Sequence, residues 1–150
     1  MRLTMAAVMI ALPLSVEAGE LRITVDGIRS THGMVLIGLY DSPTSFGKAV
    51  EASGGFLGDP NRFAAVALRA NAALKSAVVF SNLGPGRYAA IAFHDENGDG
   101  KLDKNFLGIP TEPYGFSNDV QGFLSPPTFD AAAMALGDGN EAIRIALVLP

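Results

Sequence analysis

Seven residues, Met34 to Tyr40, run almost without a polar break: Met, Val, Leu, Ile, Gly, Leu, Tyr. A strand with one wet face alternates polar and apolar residues. A strand with no polar face has to be covered on both sides. This stretch therefore reads as a central strand of a layered β structure. Gly38 inside it suggests a bulge or a close backbone approach. Around it the chain falls into short patterned runs. In Glu20 to Gly27, Leu21, Ile23 and Val25 point one way and Arg22, Thr24 and Asp26 the other. Phe63 to Ala70 fits a strand or a short helix, because alanines blur the pattern. Ala73 to Phe80 and Tyr88 to Phe93 read as strands. In the second of these, Ala90 and Ala92 leave room for bulky residues of a facing sheet. Thr128 to Leu136 reads as a modest strand, and Glu141 to Leu149 as a closing one. Ser42 before Pro43 suits a helix cap, with one or two turns running to Ala52. Pro85-Gly86 and Gly137-Asp138-Gly139-Asn140 mark turns. About seven strands with turns between them make an all-β fold, an antiparallel β-sandwich.

Composition narrows the function. The 150 residues are 49% hydrophobic and 17% charged, enough for one domain with a sizeable core. A formal charge of −4 argues against nucleic acid and is compatible with cations. The absence of cysteine excludes disulfides, thiolate metal sites and cysteine nucleophiles. Arg2, the apolar run Met5 to Val16 and Val16-Glu17-Ala18 have the layout of a cleavable signal peptide, residues 1–18. A single domain, 19–150, is then exported to the periplasm or beyond the cell. The rest of the sequence has no apolar run long enough to span a bilayer, so no membrane span is expected.

The most specific stretch runs from His94 to Asn105: His-Asp-Glu-Asn-Gly-Asp-Gly-Lys-Leu-Asp-Lys-Asn. Calcium takes six to eight oxygens. Counted from Asp95, the first, third and fifth side chains are Asp95, Asn97 and Asp99. Gly100 makes the turn, Lys101 offers its carbonyl, Leu102 tucks inwards, and Asp103 falls at the ninth position. The twelfth position is Phe106 rather than a bidentate glutamate, and a strand precedes the loop. This is therefore no EF-hand, and a later acid, Glu112 or Asp119, has to complete the sphere. Alternating Asp and Asn also build plain turns through side-chain-to-backbone bonds. Calcium is the favoured reading, as a weak structural ion.

Glu96 to Pro127 has little periodicity yet holds Phe106, Leu107, Ile109, Tyr114, Phe116, Phe123 and Leu124. It is expected to be one long ordered loop packed on the sandwich. His94, Tyr114, Phe116, Ser117 and Asn118 are the residues of a possible ligand surface on it.

Three runs carry a resemblance: Asn82 to Ala89, His94 to Asp103, and Gly108-Ile-Pro-Thr-Glu-Pro-Tyr-Gly-Phe-Ser-Asn118. In order and spacing they resemble the bacterial exported family of unknown function numbered 2141, over nearly the whole chain after the leader. Asp99 stands where asparagine is common, and Pro113 where glycine is frequent. The family has no assigned reaction. Its Leu-x-Pro-Gly-x-Tyr element is similar to that of transthyretin-like sandwich modules, which implies an Ig-like or prealbumin-like topology and no particular chemistry.

Two residues after Pro85-Gly86, Tyr88 suits a tyrosine corner, its hydroxyl bonded to nearby backbone. His94 beside Asp95, with Ser117 in the same region, raises a hydrolase. There is no nucleophile elbow around Ser117, and a histidine at a strand end more often anchors a loop. The reading is an exported, non-catalytic binding or surface-interaction sandwich with a calcium-braced acidic loop. Its partner is an unidentified protein or envelope component. The alternatives are an enzyme using His94 and nearby acids, or an accessory domain without a ligand.

Overall fold

The computed structural model describes residues 18–52, 62–71, 73–122 and 125–150. Apart from Ala18, the expected leader lies outside these residues, as do Phe123 and Leu124. In chain order the elements are β1 Gly19–Asp26, β2 Met34–Tyr40, α1 Pro43–Glu51, β3 Ala64–Leu68, β4 Ser76–Leu83, β5 Gly86–Asp95, β6 Tyr114–Phe116, α2 Phe129–Ala132, β7 Met134–Leu136 and β8 Asn140–Ala146. A 3-10 turn, Ser117–Asp119, follows β6.

The strands form two sheets of an all-β sandwich. One has the order β4-β1-β8, the other β3-β2-β5-β6 with β7 also paired to β5. Between the sheets lie Leu21, Ile23, Val25 and Ile145 from the first and Val35, Ile37, Leu39, Ala90 and Ala92 from the second. A second cluster covers the outer face of the larger sheet: Tyr40, Ala89, Ile91 and Phe116 under Phe46 of α1 and Phe129 and Ala132 of α2. The Phe46 ring is the hub, 6.0 Å from Tyr40 and 6.1 Å from both Phe116 and Phe129. This is why β2 and β5 carry no polar face. Each is buried against the other sheet on one side and against the two short helices on the other. A buried phenylalanine here is worth about 1.5–3 kcal/mol of transfer free energy.

Local signals place the helices. The Ser42 hydroxyl accepts from Ser45 N at 3.3 Å, and proline takes the first helical position, where its missing N–H costs nothing. The Tyr88 hydroxyl donates to the Gly84 carbonyl at 2.8 Å, closing the expected tyrosine corner.

Three expectations change, and one open alternative is resolved. The sandwich is not wholly antiparallel, since β1 and β8 run parallel from Glu20–Asn140 to Asp26–Ala146. Phe63 to Ala70 resolves as strand β3, paired to β2. Thr128 to Leu136 is not one strand. The Thr128 hydroxyl accepts from Ala131 N at 3.3 Å and caps α2, and only Met134–Leu136 pairs. Three successive alanines favour that helical turn. Gly38 makes no bulge, because the β2–β5 register runs unbroken from Met34–Asp95 to Tyr40–Ala89.

Candidate functional site

Between β5 and β6 the chain makes a long excursion, braced in stages from its base outwards. At the base, His94 N donates to the Pro113 carbonyl at 2.9 Å. The His94 ring is fully buried. Its Nε2 stands 2.8 Å from the His32 carbonyl, and Arg29 N donates to Nδ1 at 3.4 Å. A carbonyl can only accept, so Nε2 carries the proton and Nδ1 is the acceptor. The histidine ties the 29–32 turn to the start of the loop. Gly33 completes that contact. It sits at φ +67°, and a Cβ there would fall 2.0 Å from the Asp95 carbonyl oxygen. Only glycine lets the two backbones approach this closely.

Asp95 is the pivot of the acidic turn. Its carboxylate is buried. Oδ1 accepts from Gly98 N at 2.8 Å and Asp99 N at 3.2 Å, and Oδ2 accepts from Gly100 N at 2.8 Å. Asn97 Oδ1 accepts from Asp99 N at 3.1 Å, and Asp99 Oδ1 from Lys101 N at 2.9 Å. Asn97 and Asp99 thus each turn the backbone two residues on, while Asp95 gathers the amides three to five residues on. The alternating spacing found in the sequence is what such a chain of turns needs. Asn97 Nδ2 also donates to Asp103 Oδ2 at 2.8 Å.

Glu112 is the strut. From the far side of the excursion its buried carboxylate accepts from Glu96 N at 2.8 Å through Oε1 and from Asp103 N at 3.0 Å through Oε2. Burial pushes this carboxyl above the ordinary glutamate range. The Asp103 and Glu96 N–H groups pull it back, and the nearby charges of Asp103 and Asp95 push it up again. Of the two acids expected to complete a cation site, Glu112 therefore reaches the loop. Asp119 does not. It accepts from Ala146 N at 2.7 Å and lies 3.9 Å from Arg144, on β8.

The donor set fits a cation only in part. Asp95 and Glu112 already take five backbone N–H groups between them. Among the described residues, no three acidic or histidine side chains converge as metal ligands would. Asn97, Asp99 and Lys101 are exposed, and Asp103 is half-buried. Their side-chain oxygens and the Lys101 carbonyl are the groups a cation approaching from solvent would meet. Leu102 is half-buried rather than tucked into the core.

Beyond Asp103 the chain forms a miniature hairpin. Thr111 N donates to the Asp103 carbonyl at 2.8 Å, Lys104 bridges Pro110, and Asn105 N donates to the Ile109 carbonyl at 2.9 Å. Asn105 Oδ1 accepts from Leu107 N at 2.9 Å and Ile109 N at 3.1 Å. The expectation that the apolar residues here pack on the sandwich is overturned: Phe106 is 95% exposed, Leu107 68% and Ile109 43%. The hairpin satisfies its own backbone, so it stands off the sheet and carries its apolar residues into solvent.

The proposed ligand surface is divided. Phe116 is buried in the second core cluster, and His94 is interior. Ser117 is fully buried, its hydroxyl accepting from Ala90 N at 2.8 Å and donating to the Ala132 carbonyl at 2.6 Å. Tyr114 is half-buried and pairs through its backbone with Val148. Asn118 is exposed at φ 62°, and its amide donates to the Ala131 and Ala133 carbonyls at 3.1 Å each. His94, Phe116 and Ser117 thus present no face to solvent. The exposed pair Phe106-Leu107, between Asn105 and Gly108, was the signal missed: an Asn-x-x-Gly turn projects what lies between its ends.

A β-sandwich bearing a self-braced acidic loop is a class of architecture, not an activity. The chain belongs to the family described as uncharacterized proteins conserved in bacteria, DUF2141, whose profile matches residues 23–144. No curated protein and no solved structure matches it. No helix among the described residues is long and apolar enough to cross a membrane.

Proposed function

We propose that this chain is an exported, non-catalytic sandwich that works by binding. Its working part is the excursion 95–113, and calcium tightens that excursion from the solvent side. The observation that carries the reading is the division of labour in the loop. His94, Asp95, Glu112 and Ser117, the side chains with chemical potential, are buried and engaged with backbone groups. An enzyme would present such groups to a substrate. Here the first three hold a loop whose outer residues, Asn97, Asp99, Lys101 and Phe106, face water, and Ser117 ties β5 to α2.

Calcium is supported by the closeness of Asp95, Asp103 and Glu112: burial chiefly raises the Glu112 carboxyl, and the charges of Asp103 and Asp95 add to that rise. A divalent cation relieves that repulsion. Asp99, Asp103, Asn97 and the Lys101 carbonyl are the ligands, with Asp95 and Glu112 contributing remaining lone pairs. Few direct ligands mean weak binding, at a dissociation constant on the order of 0.1–1 mM, as in extracellular modules. The test is thermal melting in millimolar calcium against chelator. A rise in Tm that Asp99→Ala with Asp103→Ala abolishes is expected. An unchanged Tm removes calcium from the reading.

A further inference from the structure

We propose that Asn97-Gly98 is a site of covalent self-modification: Asn97 loses its amide as ammonia when the acidic turn opens, and the acid left behind weakens the turn. As chemistry this stands alone. As regulation of the excursion it rests on the binding reading above.

Of the chain's asparagines, only Asn97 is followed by glycine, and both residues are exposed. Gly98 has φ +76°, and a Cβ there would meet nothing within 4 Å, so no side chain, its own or a neighbour's, crowds this side of the peptide. Asn97 Oδ1 accepts from Asp99 N at 3.1 Å. The ring closed by that bond runs through Asn97 Cγ and Gly98 N. The carbon to be attacked and the nitrogen that attacks it therefore share one tight turn.

Two further bonds hold the reaction back. Gly98 N donates to Asp95 Oδ1 at 2.8 Å, which keeps the proton on that nitrogen. Asn97 Nδ2 donates to Asp103 Oδ2 at 2.8 Å, which holds the carboxamide in place. Both break when the turn opens. Base in the solvent then takes the Gly98 proton, the nitrogen bonds to Asn97 Cγ, and the Cγ–Nδ2 bond breaks. Nδ2 leaves with a returned proton as ammonia, and a cyclic succinimide remains. Water opens it at either carbonyl, to aspartate or to isoaspartate. One water is consumed and one ammonia released, with no change of oxidation state.

Neither product closes the turn as before. A carboxylate has no N–H for Asp103 Oδ2, so a hydrogen bond becomes a repulsion between like charges. Isoaspartate also adds a methylene to the main chain between Asp95 and the amides it gathers. The excursion already carries Asp95, Glu96, Asp99, Asp103 and Glu112. Opening thus leads to a one-way step that leaves the excursion looser.

The test incubates the full chain in mildly alkaline, metal-free buffer and follows it by peptide mass spectrometry. Conversion of amide to acid is expected at Asn97 ahead of every other asparagine. It is expected to run about tenfold or more slower in the folded chain than in denaturant, because only opened molecules react. Asp95→Ala, which frees the Gly98 proton, is expected to speed conversion in buffer by a similar factor. Asp103→Ala frees Nδ2, leaves the Asp95 bonds intact and is expected to speed it by less; this variant decides alone where Asp95→Ala does not fold. Asn97→Asp is expected to melt below the wild type in chelator. Conversion as fast folded as denatured, no conversion at Asn97 in the folded chain, or rates unchanged in the variants overturns the proposal. An Asn97→Asp variant with the wild-type Tm overturns the consequence for the excursion. A Tm that calcium leaves unchanged would sink the metal brace and leave this proposal standing, because no step of the chemistry uses an ion.

Discussion

Asp26 and Glu112 are both carboxylates at the edge of the core, and the protein holds them in opposite ways. Asp26, at the end of β1, meets cations: it pairs with the Arg144 guanidinium, and the Lys75 ammonium lies 3.3 Å away. Hydrogen bonding to Arg144 chiefly holds its carboxyl below the ordinary aspartate range, against the opposing effect of burial. Glu112 meets only backbone N–H groups and other acids, and burial lifts it above the ordinary range. The sandwich joins strands by charge pairing between sequence-distant residues. The excursion is closed by carboxylates acting on main chain. Among the described residues no ion pair answers the Glu112 carboxylate, and the calcium proposal rests on that.

The largest effect is expected at the pivot of the loop. Asp95→Ala leaves the N–H groups of Gly98, Asp99 and Gly100 without their acceptor. A loss of about 2–3 kcal/mol is expected in chemical denaturation, reduced from the sum because water reaches part of the turn. A loss below about 0.5 kcal/mol would mean that the carboxylate does not brace the loop.

Glu112→Gln sets an amide donor against one of two N–H groups, at a cost of about 1–3 kcal/mol. Its pH dependence carries the sharper information. A raised native value means that the folded protein favours protonated Glu112. Its contribution is full below the ordinary glutamate value and fades as pH rises through the raised value. In calcium-free buffer the wild type should therefore lose part of its advantage over Glu112→Gln across that window. A constant difference would show that Glu112 is not strained.

Asp26→Asn tests the other arm, with the opposite sign. The native value is depressed, so the contribution is present above the ordinary aspartate value and lost as pH falls through the native one. Acid denaturation of the variant should lack that part of the wild-type limb. Identical limbs would put the ion pair in the class of surface pairs that contribute nothing measurable.

The smallest effect belongs to the tip. Phe106→Ser with Leu107→Ser should change the denaturation midpoint by no more than about 0.5 kcal/mol, because neither side chain is covered. A larger loss would show that the tip packs against the sandwich in solution.

Much of this was legible in the residues. The unbroken apolar run Met34 to Tyr40 foretold a strand covered twice, and both covers are present. The faces of β5 follow from alternation, with Ala90 and Ala92 facing the other sheet. The Asp95 turn was also available, because short-range oxygen-to-amide geometry is written in spacing, whereas spacing left Glu112 and Asp119 as equal candidates to reach the loop. Periodicity reports which face is buried and is silent about partner and direction, so the parallel pairing of β1 with β8 could not be read. At Thr128 a side-chain cap and three alanines outweighed a weak strand pattern.

The sequence by itself thus determined which side chains are apolar on which face, where turns break the chain, and which acid heads the loop. These are properties of near neighbours. Only the tertiary structure decided that Phe106 and Leu107 stand in water while Phe116, from the same irregular region, is buried. Hydrophobicity states what a residue gains from burial. Whether a surface lies within reach depends on where the strands on either side of the loop have been placed.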